Sequence, residues 1–280
     1  MHNALKACFA SVVLILPLSL LARRGMAQET PPTLNDVLQR LEANLRRYDK
    51  SLPSLFCDET VDSKLEPSFP KQDDVVASVF RLKRTANGDG TSSLVESRDV
   101  ISVNGKNPAD HKADLPAQLD GAFEGSFAVV SLDQSHCFQY SMKRVDKRHP
   151  TAPYVIRFSS LPTPHNPSHC LLNEKSDGLV LIDPATFEMT HLEINTPHHL
   201  IRPGNEYVAP YRGKRAITID YSPVSFDQTS FWLPSVINLK VIGGEGTFHQ
   251  TTWSFHSEYR NCHQLQVRSR ILTDHEAAQH

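Results

Sequence analysis

The sequence predicts an α+β, mainly β protein: one large curled antiparallel sheet, an incomplete barrel, covered by an N-terminal amphipathic helix and a second short helix. Three observations predict it. Beyond residue 50, apolar residues recur at every second position in segment after segment, the pattern of strands with one dry and one wet face. These segments follow at short intervals without interleaved helices, which excludes a parallel Rossmann or TIM arrangement. One amphipathic helix precedes them, and a sheet this large must curl into a barrel or into a half-barrel closed by helices.

The chain opens with an export signal. Lys6 provides a basic start, Ala7 to Ala22 form an apolar run containing Pro17, and Gly25 and Ala27 place small residues before a cut after residue 27. The run is short for a membrane span of about 20 residues. Arg23 and Arg24 directly after it also allow the segment to persist uncleaved, as a membrane anchor. Cys8 lies upstream of the cut and cannot carry a lipid in the processed chain. The expected organisation is a signal peptide at 1–27 and a single β-rich domain at 28–280, with a helix at 33–48 and a short flexible C-terminal tail. Its location is periplasmic or secreted.

The whole chain holds 29 Lys and Arg against 31 Asp and Glu. Removing Lys6, Arg23 and Arg24 with the signal leaves 26 against 31, a formal charge of −5. Nucleic-acid binding needs a basic footprint; no Lys/Arg cluster stands out, so no nucleic-acid partner is expected.

Within the domain, Leu34, Val37, Leu38, Leu41, Leu45 and Tyr48 fall at three- and four-residue steps and make one apolar helical stripe. Thr33 suits the N-cap, and Asp36 suits the positive end of the helix dipole. Val75 to Thr85 and Thr91 to Val103 flank Asn87-Gly-Asp-Gly90 and predict a hairpin. Leu115, Leu119, Phe123 and Phe127 suggest a short helix, which Gly121 and Gly125 weaken. Alternation then predicts strands around Tyr154–Phe158, Ile217–Tyr221, Ile237–Val241, Trp253–Tyr259 and Leu265–Ile271. Leu161 to His169 and Thr196 to Gly213, rich in Pro and Gly, are expected to be loops.

Four cysteines follow the signal: Cys57, Cys137, Cys170 and Cys262. An even count in an oxidising compartment favours disulfides, with four buried free thiols as the alternative. Four cysteines allow three pairings. Cys137 with Cys170 is preferred, because each borders an expected strand and the loop between them is short.

Candidate chemistry is sparse. His165, His169 and Cys170 form H-x-x-x-H-C, and His198 and His199 are adjacent, but both groups lie in Pro-rich loops that enforce no ligand geometry. His275-Glu276 with His280 misses the H-E-x-x-H spacing by one residue. No G-x-S-x-G and no Gly-rich phosphate loop occurs. Asp183, Glu193 and Asp220 read as turn formers or solvated strand residues. No catalytic residue, no metal and no cofactor is therefore expected. Phe80, Leu82, Tyr154, Phe158, Tyr221, Trp253 and Phe255 should point inward, either as plain core or as the walls of an apolar hollow for a greasy ligand.

Several segments also resemble known proteins: LPSLFCDE (52–59), VNGK (103–106), GLVLIDPAT (178–186) with MTHLE (189–193), and SFWLP (230–234). Together they resemble a group of exported bacterial proteins of uncharacterised function. In outline they are similar to the lipoprotein-localisation factors LolA and LolB. The resemblance implies an incomplete antiparallel barrel with a helical lid, whose hollow holds acyl chains, and a lipid or lipidated protein as partner. The expected function is thus an exported, non-enzymatic binding protein, a lipid or lipoprotein carrier. A secreted metal-dependent hydrolase and a structural or interaction module of the envelope are the alternatives.

Overall fold

Among the described residues, two helices, one of them a single short turn, and ten antiparallel strands form the fold. In the computed structural model the described residues are 31–67, 71–88, 92–143, 149, 151–164, 167–201, 210–244 and 251–265. The signal segment, His165, the 266–280 tail and most of the turn after Asn87 lie outside them. Helix α1 (Leu34–Ser51) begins with a full capping box: Thr33 Oγ1 accepts from the Asp36 amide, and the Asp36 carboxylate accepts from the Thr33 amide. Val37, Leu38, Leu41 and Tyr48 are buried, so the predicted stripe is the face laid on the sheet.

The strands are β1 (Leu55–Glu66), β2 (Gln72–Ala86), β3 (Ser92–Val103), β4 (Phe138–Met142), β5 (Tyr154–Ser160), β6 (Asp177–Ile182), β7 (Met189–Ile201), β8 (Tyr211–Phe226), β9 (Thr229–Gly243) and β10 (Thr251–Gln264). They form one sheet in the order β3-β2-β1-β10-β9-β8-β7-β6-β5-β4. Neighbours in sequence are neighbours in space except β3 and β4, which lie at opposite edges, and β10 closes back against β1. β3 and β4 remain free edges, so the sheet is open rather than a closed barrel.

Between β3 and β4 the chain crosses the inner face of the sheet. This stretch carries α2 (Ala122–Gly125) and a 3₁₀ turn at Leu132–Gln134, and it buries Phe123, Phe127, Val129 and Val130. The helix foreseen here shrinks to four residues. Gly121, at φ +73°, is left-handed and stops the spiral from extending backwards.

Three other expectations shift. β1, whose alternation is broken by inward-facing Glu59 and Ser63, was not foreseen as a strand. The stretch from Thr196 to Gly213, expected as a loop, is strand at both ends. β7 runs to Ile201, and the ladder slips between Thr196 and His199, where Pro197 lacks an amide to donate. The last strand ends at Gln264; the expected strand residues Val267 and Ile271 fall beyond the described chain.

The inner face holds two apolar clusters. The larger lies under α1 and the 120–138 crossing and includes Phe80, Leu82, Phe123, Phe158, Tyr221, Phe231 and Tyr259. The smaller, Val61, Val76, Val103, Leu239 and Phe255, lies under residues 113–119. Two disulfides tie the chain, Cys57–Cys262 across β1 and β10 and Cys137–Cys170 at the start of β4.

Candidate functional site

A cleft of about 450 Å³ opens between the second half of α1, the edge strand β3 and the 124–133 crossing. Its floor is Leu45, Tyr48, Leu52, Leu94, Phe127 and Ala128, and its rim is charged, with Glu42, Arg46, Asp49, Lys50, Glu124 and Asp133. The volume falls within the 300–1,000 Å³ of ordinary ligand sites, which pair apolar walls with a few polar groups.

Both walls of the cleft are pinned by polar contacts. Arg84 on β2 ends α1: its guanidinium donates to the carbonyl oxygens of Tyr48, Asp49 and Leu52, and to Ser92 Oγ. These helix-end carbonyls would otherwise lack partners. Tyr48 donates to Glu188 Oε2 at 2.7 Å and accepts from the Trp232 amide at 2.7 Å, while Arg47 pairs with Glu188 Oε1 at 2.6 Å. Burial lifts the Glu188 carboxyl above its ordinary value, against the pull of Tyr48 and Arg47. Asn44 donates to the carbonyls of Thr186 and Phe187, so the β6–β7 turn also holds the helix.

The opposite wall is tied to α1 through Glu42. Its carboxylate accepts from Arg46, from Ser131 Oγ and from the Leu132 amide. Burial disfavours its charge, but these donors prevail and hold the carboxyl below its ordinary value. At the β3 end, Glu96 accepts from the amides of Gly121 and Glu124. Burial, then the carboxylates of Glu96 and Asp49, lift the Glu124 carboxyl.

Beneath the crossing, a buried polar row separates the two apolar clusters. Glu59 on β1 pairs with Arg98 Nε on β3 at 2.8 Å and accepts from Ser78 Oγ at 2.7 Å and Ser257 Oγ at 3.2 Å. Arg98 lies over the Phe80 ring at 5.0 Å, and its terminal nitrogens reach Glu96, Asp120 and Tyr259.

Of the seven candidate hollow residues, Phe80, Leu82, Phe158 and Tyr221 are buried in the larger cluster, and Tyr154 packs at its margin against Phe187. Phe255 belongs to the smaller cluster with Trp253 packed on it. None of the seven borders the cleft. Aromatic rings fill the space they face: Phe80, Phe123 and Tyr259 have centroids 4.8–5.1 Å apart, and Phe127 and Phe231 flank Tyr48. The cleft itself lies to the side of these rings, along α1.

The other candidates are dispersed. Asp183 caps its own turn by accepting from the Ala185 and Thr186 amides. Asp220 and Glu193 bracket His191 at 2.6 and 3.2 Å on the outer, wet face. His199 pairs with Glu174 at 2.7 Å. Sequence reasoning missed Glu42, Arg84, Glu59 and Arg98. Only Glu59 leaves a trace, a carboxylate at an inward position of an otherwise apolar alternation from Leu55 to Val61.

No family model matches the chain, and no curated protein does. Solved structures do. A LolA superfamily protein from Nitrosomonas europaea is similar at 8% identity and a TM-score of 0.37, covering 82% of this chain and 94% of its own. The chain is similar in outline to LolA superfamily proteins. A DUF1329 family protein from Desulfovibrio piger is similar at 9% identity and a TM-score of 0.40, covering 84% and 94%.

Proposed function

We propose that this chain is an exported, non-catalytic binding protein whose cleft takes an acyl chain or another elongated apolar group. The observation that carries the reading is the cleft itself: an apolar floor of Leu45, Tyr48, Leu52, Leu94 and Phe127 under a rim of mixed charge. That layout suits an amphiphile whose tail is buried and whose head stays in water. Burial contributes about 0.8 kcal/mol per methylene, so ten methylenes supply about 8 kcal/mol before the costs of association. Two disulfides fit an oxidising compartment, and the signal-like N-terminus agrees with export.

Tail entry requires α1 and the 124–133 crossing to part, and Glu42, bonded to Ser131 and Leu132, is a polar contact that spans them beside the Tyr48–Phe127 ring contact. A free lipid and a lipidated protein offer the same tail, and the head group distinguishes them.

Organic extraction and native mass spectrometry of protein purified from the periplasm test the proposal. A stoichiometric amphiphile is expected, and displacement of a fluorescent fatty acid should weaken strongly when Leu94→Asp places a charge on the floor. A chain that carries no lipid, and binds the fluorescent acid no better than Leu94→Asp does, overturns it.

A further inference from the structure

A second cluster lies away from the cleft, at the start of β4. A ring nitrogen of His136 and the sulfurs of Cys137 and Cys170 all lie within 4.8 Å of one another. Both cysteines are buried, and they are bonded to each other. His136 Nε2 is sealed from solvent and has no hydrogen-bond partner among the described residues. Such a buried, unpaired donor or acceptor costs about 1–3 kcal/mol, and ligand binding is one of the few reasons to keep one.

Contacts besides the disulfide also hold the loop bearing Cys170. Gln134 Nε2 donates to the His169 carbonyl at 3.4 Å, and Gln134 Oε1 accepts from the Leu171 amide at 2.9 Å. On the other strand of the loop, the Leu161 amide donates to the Cys137 carbonyl at 2.9 Å. These bonds tie residues on both sides of Cys170 to the segment around Cys137 independently of the sulfur–sulfur bond.

We propose that reduction of Cys137–Cys170 converts this cluster into a site for a thiophilic closed-shell cation, Zn(II) or Cu(I), with His136 as the third ligand. A dithiol reductant supplies two electrons and two protons to the bridge and is itself oxidised to a disulfide. The two thiols then release their protons to solvent as the cation binds, and His136 contributes a ring-nitrogen lone pair. Two thiolates and an imidazole are a donor set that selects Zn(II) or Cu(I) over hard cations. Cu(I) is satisfied by these three donors, whereas Zn(II) would take a water as its fourth. The oxidised protein has no thiolate to offer, so the bridge gates the site.

The test uses the full exported chain, oxidised or reduced without oxygen by a phosphine, and given Zn(II) alone or Cu(I) alone. Retained metal is measured after gel filtration, and thermal unfolding with and without metal is followed in parallel. The reduced chain should retain one equivalent more of one cation than Cys137→Ser/Cys170→Ser does, and the oxidised chain none. His136→Ala should weaken binding by more than about tenfold, the loss already seen when only an outer-shell partner of a metal ligand is removed. Equal retention by the reduced chain and the double serine variant overturns the proposal. So does unaltered affinity in His136→Ala, or a reduced chain that unfolds and is not restored by either cation.

Discussion

The Glu59 carboxylate and the Arg98 guanidinium meet at 2.8 Å with their side chains only 1% and 3% exposed, in a row that parts the two apolar clusters of the sheet. Burying a charge is costly unless it is paired, and the pairing here joins β1 to β3 across β2.

Breaking that pair from one side should therefore cost far more than removing it whole. Arg98→Met leaves Glu59 buried and unpaired, and loses about 3–5 kcal/mol of stability. Glu59→Leu combined with Arg98→Met should recover most of that loss, because both charges are gone. Urea unfolding of the single and double variants checks the coupling. Equal destabilisation in both would show that packing of Arg98 on Phe80, rather than its charge, is what matters.

Arg84 closes the C-terminal end of α1, so Arg84→Met should loosen the helix where it walls the cleft. Hydrogen bonds to charged groups contribute about 1.5–3 kcal/mol each net, though those of one guanidinium are not additive, so a total loss of about 2–3 kcal/mol is expected. Hydrogen exchange should quicken for the amide of Leu52, which bonds the Tyr48 carbonyl in the last turn, and much less for Val37 in the first turn.

Acid should release the crossing from α1. The Glu42 carboxyl is held below its ordinary 4.5, so near pH 4 the unfolded chain binds more protons than the native one. Stability then rises with pH in that range: the Glu42 contribution is complete above 4.5 and is lost as pH falls through the folded value. Asp74, held below its ordinary 3.8 against burial by the amides of Leu115 and Asp114 and the side chain of Asn104, acts in the same direction. Glu188, lifted by burial, acts in the opposite one. Glu42→Gln should flatten the fall in stability between pH 6 and pH 3 without abolishing it, as read from urea midpoints. An unchanged slope would remove Glu42 from the account.

Gly178 on β6 has no room for a side chain. A Cβ there would lie 1.9 Å from the Glu193 carbonyl oxygen and 2.5 Å from the Phe158 ring, which fills the gap over the glycine. Gly178→Ala must force β6 away from β7 or turn Phe158 out of the core. Overpacking of this kind typically costs about 1–3 kcal/mol, and a backbone clash puts this case at or above the top of that range. A thermal melt of the variant checks it; an unchanged midpoint would mean that the strands separate freely.

Local features were legible because each is written in residues close together in the chain. Thr33 and Asp36 are three apart and cap their own helix, and Ile217, Ile219 and Tyr221 alternate within one strand. The stripe on α1 announced a buried face, and the alternation announced a sheet with one dry side. The site was much less legible. Its floor joins Leu45 to Leu94 and Phe127, and nothing in a local period says which elements will meet. Inward-facing aromatics read either as plain core or as the walls of a hollow, and only the fold shows that Phe80 packs on Phe123 and Tyr259 while a cleft lies beside α1.

The sequence by itself determined the mainly β class, the covering helix and the even set of four cysteines, because side-chain period and cysteine count are properties of the chain. Only the tertiary structure decided that β10 pairs with β1, that Cys57 meets Cys262 across 205 residues, and that Glu59 finds Arg98. The reason is physical. A buried charge is tolerable only beside its partner, and a disulfide forms only where two thiols meet; both partners are chosen by strand order and register, which depend on how the whole sheet closes on its core.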